Sequence, residues 1–204
     1  MNKIVIFGST GMTGLCAVES AIKKGLNVRA FVRDPSKLPD HLRDNVEIVK
    51  GDILEYDSVL NAVRGVEGVV VAVGTRNDLS PTTALSEGLK NIIKAMEESN
   101  VEVISVCLSA FLFYEPQKVP PRFHDLNADH QRMLDVLKGT NLKYIACFPP
   151  HIADQPPVGY QVKNGESPGG RVITKHDLGL FLVESLTKPE HYGQIVGICN
   201  NHAQ

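Results

Sequence analysis

The chain has 204 residues, 43% of them hydrophobic and 22% charged. These values describe one well-buried globular domain and exclude fibrous and disordered classes. A formal charge of -2 with no cluster of Lys and Arg excludes a general attraction to nucleic acid, so any anion site must be local.

The first predicted element is the apolar, β-branched run Lys3–Gly8, which leads into three glycines set three apart, Gly8, Gly11 and Gly14. A helix is predicted from near Met12 through "TGLCAVESAIKKG". Further buried strands are read at 27–32, 46–51, 68–73, 101–108 and 143–148. Helical spacing lies between them, as at Leu89, Ile92, Ile93 and Met96 or at Met133, Leu134 and Leu137. Asp57 is the expected cap of the helix carrying "SVLNAV". Alternation of this kind predicts an α/β fold: a single doubly wound domain of the Rossmann type over 1–204, with a mostly parallel sheet and helices on both faces. Ligands are expected in the crevice beyond the carboxyl ends of the strands.

Segments 115–125 and 149–170 are rich in Pro and Gly and are read as loops. Both follow strand ends, so substrate loops are expected near 109–125 and 149–171. The cysteines Cys16, Cys107, Cys147 and Cys199 are widely spaced and form no ligand pattern, which suits reduced thiols and no metal. The start "MNKIVIFGSTG" has no secretory pattern and the apolar runs are too short to cross a bilayer. A cytoplasmic protein with no membrane partner is expected.

A strand before and a helix after make the glycine turn more than a chance pattern. Glycine permits the tight turn and lets backbone N–H groups meet a ligand with no Cβ between them. The helix start adds about half a positive charge, so a pyrophosphate is the expected guest. The alternative is a strand-to-helix connection that holds nothing. At the end of the second strand an acid would receive the ribose hydroxyls of NAD, whereas a cation would receive the extra phosphate of NADP. "FVRDPSK" places Arg33 first, with Ser36 and Lys37 as further donors. Asp34 is the rival; standing before Pro35 it reads as the start of a turn, which favours NADP. Asp52 at the end of the third strand is read either as a partner of the adenine amino group or as a cap. Gly74 suits close backbone contact with a cofactor, and Arg76 is a cofactor contact or a solvated charge.

The turn "GSTGMTG" is similar to that of atypical short-chain dehydrogenase/reductase proteins. With "GTRNDLSPTT" (74–83), "KVPPR" (118–122), "YIACFPPHIADQP" (144–156) and "RVITKHDLG" (171–179), the chain resembles the biliverdin-IXβ reductase/NADPH-dependent flavin reductase family over nearly its whole length. The resemblance implies a monomeric oxidoreductase of heme catabolism. It would use NADPH to reduce FMN, FAD or riboflavin, and biliverdin isomers such as IXβ, with flavin as a substrate and not as a tightly bound group. It implies cofactor contacts at Gly8, Thr10, Gly11, Met12, Thr13 and Gly14, then at Arg33, Ser36 and Lys37, and beside the adenine at Asp52 and Ile53. Gly74, Thr75, Arg76, Leu108, Ser109, His130, His151 and Ile152 complete that set.

Many short-chain dehydrogenases pair a Tyr with a Lys four residues on, so that the phenol can donate a proton to a carbonyl oxygen. Tyr114 and Lys118 have that spacing, but Pro116 between them disfavours the helix that would align them. Flavins and linear tetrapyrroles take hydride on an extended conjugated system and need orientation more than a phenol. Ser109 is read as fixing the nicotinamide or the acceptor, or else as closing a strand. His151 is read as positioning the acceptor. Phe111, Phe113, Arg122 and Arg171 are pocket candidates, aromatics for a flat ring and guanidinium groups for phosphate or propionate; core aromatics and surface charges are the bland alternatives. His130 fits a structural role equally well, and Cys107 and Cys147 read as core residues. Two other functions remain open: an NADP-binding redox sensor that acts through a protein partner, suggested by the missing Tyr/Lys pair, and a nucleotide-sugar epimerase, for which the roughly fifty residues after Pro150 leave little room.

Overall fold

The computed structural model describes residues 1–201. Ten strands and six α-helices alternate along the chain. Strand β1 (Lys3–Phe7) leads into α1 (Met12–Lys23), β2 (Asn27–Val32), the short α2 (Asp40–Arg43) and β3 (Val46–Lys50). Then come α3 (Tyr56–Val63), β4 (Gly68–Val71), α4 (Ala84–Glu98), β5 (Val103–Cys107), α5 (His124–Lys138) and β6 (Lys143–Phe148). The last part holds β7 (His151–Ala153), β8 (Tyr160–Asn164), β9 (Val172–Thr174), α6 (Lys175–Glu184) and β10 (Gln194–Asn200).

Eight strands form one sheet in the order β3-β2-β1-β4-β5-β6-β10-β8, and β7 pairs with β9 in a separate ribbon. Every neighbour in the large sheet is parallel except β8, which runs antiparallel to β10. The predicted doubly wound architecture is therefore the observed one. The strand order reverses at β1, between β2 and β4, and in sheets of this kind the crevice for a ligand lies at that point, beyond the carboxyl ends of the strands.

Side chains of successive strand residues point to opposite faces, which splits the core in two. Ile4, Ile6, Ala30 and Val70 pack on one face with Ala17, Val18, Leu178 and Phe181 of α1 and α6. Val5, Phe7, Val69 and Val71 pack on the other with Val59, Leu89, Ile92 and Met133 of α3, α4 and α5. Burial of both faces explains why these strands read as unbroken apolar runs.

Arg29, Asp129 and Asp177 are charged residues buried inside this framework, and the first two close helix ends. Arg29 of β2, 8% exposed, donates to the carbonyls of Ala62 at 2.7 Å and Arg64 at 2.8 Å and pairs with Glu47. It thereby satisfies the free carbonyls at the end of α3. Asp129 of α5, 0% exposed, accepts from the backbone N–H groups of Leu85 and Ser86 and from the Ser86 hydroxyl. It closes the N-terminus of α4.

Several sequence expectations need correction. The segment 149–170 is not a plain loop: it contains β7 and β8, and β9 and α6 follow it. Segment 115–125 holds two 3-10 turns and the first residues of α5. Gln194–Asn200, outside every strand read from the sequence, forms β10, between β6 and β8. Asp57 does not cap α3; Glu55 occupies that position and Asp57 lies in the first turn. No helix among the described residues is long and apolar enough to cross a membrane.

Candidate functional site

The glycine turn sits at the switch point. Gly8 has φ +86°, a left-handed conformation that favours glycine, and its carbonyl accepts from the Gly11 N–H at 2.9 Å. A Cβ on Gly14 would overlap the Gly8 carbonyl oxygen, and one on Gly8 would overlap the Ala72 carbonyl oxygen. The turn is thus held against both α1 and the end of β4 by contacts that only glycine allows.

Helix α1 begins at Met12 with Gly11 as its N-cap, no side-chain cap and no acid in its first turn. The other five α-helices each carry an acid there: Asp40, Asp57, Glu87, Asp125 and Asp177. Helix α1 therefore keeps unanswered N–H groups and an uncompensated positive end at the crevice. Thr13 and Gly14 are buried, Thr10 and Gly11 are half-buried, and Met12 is 44% exposed at the helix start.

At the end of β2, Arg33 and Lys37 are both exposed. Asp34 caps the 3-10 turn Pro35–Lys37. Its Oδ1 accepts from the Ser36 N–H at 3.1 Å and from the Ser36 hydroxyl at 2.7 Å, which holds its carboxyl below the usual range. This bears out the turn reading of Asp34 and corrects the expectation for Ser36, whose N–H and hydroxyl hydrogen are already engaged. Lys50, which the sequence reading passed over, stands beside Val32 in the β2–β3 register and is exposed. Its only sequence signal was a cation at the end of the strand VEIVK.

Asp52 does act locally as a cap, accepting from the Leu54 N–H at 3.0 Å. Ile53 packs against the flank of α4 at Gly88. At Gly74 a Cβ would meet nothing within 4 Å, so the space above it is open and Gly74 makes no close contact within the chain. Half-buried Thr75 leads into Arg76 and Asn77, both at positive φ, 54° and 70°, an uncommon backbone state for residues with side chains. This bend brings the Arg76 guanidinium to 3.4 Å from the Thr10 hydroxyl, at the rim of the glycine turn.

Beyond β5, the Leu108 N–H bonds to the Cys147 carbonyl and the Ala110 N–H to the Pro149 carbonyl at 2.9 Å. These bonds bring Leu108 and Ser109 to the same edge as His151 and Ile152 at the start of β7. The Ser109 oxygen accepts from the Phe111 N–H at 3.2 Å, so the hydroxyl closes a turn and keeps its own hydrogen free. His151 is exposed, and it faces Val172 in the β7–β9 register, next to exposed Arg171. Phe111, Phe123 and Arg122 form a stack, with ring centroids 5.0 Å apart and the guanidinium 4.7 Å over the Phe123 ring. Phe123 was missed because nothing local marks a stacking residue.

Phe113 belongs elsewhere. It packs on Phe148 and the core, so its pocket role is withdrawn in favour of the bland reading. His130 lies partly buried in α5, and loss of water around it pushes its pKa down to about 4. Tyr114 and Lys118 are not paired: Tyr114 is 52% exposed, and Lys118 bridges to Glu115 from a separate 3-10 turn. Cys107 and Cys147 lie side by side in the β5–β6 register, and burial pushes the Cys107 thiol up to about 12. Neither is a ready nucleophile.

A switch-point crevice, an open helix N-terminus over a glycine turn and a cationic second strand end define a dinucleotide-binding α/β protein. The chain belongs to the NAD(P)H-binding family, whose model matches residues 8–189. An isoflavone reductase homolog of Nicotiana tabacum is 26% identical over 92% of this chain and 65% of its own length. The first three curated relatives are longer proteins, of which the chain spans 39%, 76% and 65%. Among solved structures, a Veillonella parvula short-chain dehydrogenase/reductase in complex with NADP has a TM-score of 0.82 at 14% identity, covering 98% of this chain and 95% of that one. An anaerobilin reductase of Escherichia coli O157:H7 has a TM-score of 0.83 at 16% identity, covering 100% and 99%. At such identities the likeness is one of fold.

Proposed function

We propose that the protein is a monomeric NADPH-dependent reductase of planar conjugated acceptors: flavins such as FMN, FAD and riboflavin, and biliverdin isomers such as IXβ. One observation carries the reading. The carboxyl edge joins a cationic dinucleotide cradle to an aromatic and guanidinium face, with no paired Tyr and Lys at the acceptor side.

The residues suit each part of the cofactor. The free N–H groups of α1 would hold the pyrophosphate. Arg33 and Lys37, with Lys50 beside them, would hold the additional phosphate by charge-assisted hydrogen bonds, and Asp34 is tied back by Ser36 so that it does not repel it. Ile53 gives the adenine an apolar wall. Bound there, NADPH would supply the hydride. Ser109, with its hydroxyl hydrogen free, orients the ring beside it, and His151 and Arg171 fix the acceptor. Phe111 and Arg122 provide flat contact for a ring and charge for a phosphate or propionate. Because the edge is open, solvent supplies the proton that balances the reduction. The anaerobilin reductase of like fold supports a tetrapyrrole as one acceptor class.

The test is to mix the protein with NADPH and excess FMN, riboflavin or separate biliverdin isomers and follow the reduced nicotinamide absorbance. Catalytic depletion supports the reading. Binding of NADPH without turnover of any acceptor would replace it with an NADP-sensing role.

A further inference from the structure

The carboxylate of Asp177 is 3% exposed and accepts four hydrogen bonds. Its Oδ2 accepts from the Thr174 hydroxyl at 2.7 Å, the Val158 N–H at 3.1 Å and the Asn200 side-chain amide at 2.7 Å. Its Oδ1 accepts from the Gly159 N–H at 3.2 Å. Capping α6 needs only the reciprocal bonds between Thr174 and Asp177. The two loop amides and Asn200 are additional, and Asn200 also donates to the Gly159 carbonyl at 2.9 Å. One carboxylate thus joins the loop after β7, the end of β9 and the end of β10.

The ribbon that it fastens is small. β7 and β9 share three register pairs, His151 with Val172, Ile152 with Ile173 and Ala153 with Thr174. So short a ribbon does not hold its shape alone. Thr174 lies at the anchored end, while at the opposite end His151 stands two strand residues away, about 7 Å, and Arg171 three, about 10 Å. A slip at the anchor moves both together.

We infer that Asp177 is a positioning residue: by clamping Val158, Gly159 and Thr174 it sets where His151 and Arg171 stand toward the acceptor. This rests on the proposed function, since it takes the β7–β9 ribbon as the acceptor side of the cleft. The cofactor cradle at α1 and β2 shares none of these bonds; α6 packs on α1 through Gly179 against Cys16 and Ala17, a contact that Asn200→Ala leaves whole, so that variant separates the acceptor from NADPH.

The experiment compares Asp177→Asn and Asn200→Ala with the wild-type protein. Asp177→Asn sets an amide N–H group against the donors it must accept; Asn200→Ala removes the bonds to the Asp177 carboxylate and the Gly159 carbonyl and leaves the α6 cap whole. For each variant the readouts are the KM for FMN, the NADPH dissociation constant and hydrogen exchange at the Val158 and Gly159 amides. A displacement near 1 Å at a reacting pair costs up to about a hundredfold in rate, so a milder shift of a positioning group is expected to raise the FMN KM about tenfold in Asp177→Asn. Asn200→Ala should raise it about threefold, and NADPH affinity should stay within about twofold in both. An FMN KM that stays constant while the two amides exchange faster would overturn the inference, as would parallel losses of FMN and NADPH binding, which indicate general loosening. If Asp177→Asn does not fold, Asn200→Ala decides by the same criteria. Wild-type protein that reduces no flavin would overturn the functional reading and this inference with it; active wild type with unaltered variants overturns the inference alone.

Discussion

Arg33→Ala should separate the two nicotinamide cofactors. Arg33 is exposed at the end of β2, and the nearest acid, Asp34, is occupied by Ser36. Its guanidinium is thus free for a phosphate group. A charge-assisted hydrogen bond contributes about 1.5–3 kcal/mol. Exposure weakens it, and Lys37 and Lys50 remain in the variant, so a loss of about 1.5 kcal/mol is expected, or roughly tenfold in the NADPH Kd. NADH lacks the additional phosphate and should change by less than about twofold, a margin well below one such bond. Titration calorimetry at two salt concentrations is the assay. The gap should narrow at higher salt, because exposed charges are screened over about 10 Å at 0.1 M. Equal losses for NADPH and NADH, or a penalty indifferent to salt, would refute the placement of the phosphate beside Arg33.

Gly14→Ala would set a methyl group against the Gly8 carbonyl oxygen; backbone must shift, so stability should fall by about 3 kcal/mol or more and binding of both cofactors should be lost, as thermal melts with and without NADPH would show. Tyr114→Phe should leave flavin reduction nearly intact, since Tyr114 is exposed and apart from Lys118; a collapse of kcat would revive a phenol donor. His130 gives a pH signature. Desolvation lowers its pKa from 6.5 to about 4 against the opposing pull of Asp129, so between those values the unfolded chain binds the proton and stability falls as pH drops. The full shift would remove about 2 kcal/mol by pH 5; the partial exposure of His130 reduces this to about 1 kcal/mol. His130→Gln should therefore lose less of its urea midpoint than wild type between pH 7 and pH 5, and equal acid sensitivity would refute the assignment.

Local chemistry made much of this protein legible from its sequence. Apolar runs mark β1, β2, β4, β5 and β6, the glycine spacing marks the turn, and Asp34 before Pro35 marks the turn after β2, because each depends on residues adjacent in the chain. The cap that Thr174 and Asp177 form at α6 was not read from the sequence, nor were the additional bonds of Asp177. Only tertiary structure decided what depends on distant partners. It placed β10 inside the sheet, hid Arg29 and Asp129 at helix ends and sent Phe113 to the core. The physical reason is range: conformational preference and strand burial act over a few residues, whereas a shared carboxylate or a packed ring is satisfied by whichever segment the fold brings near.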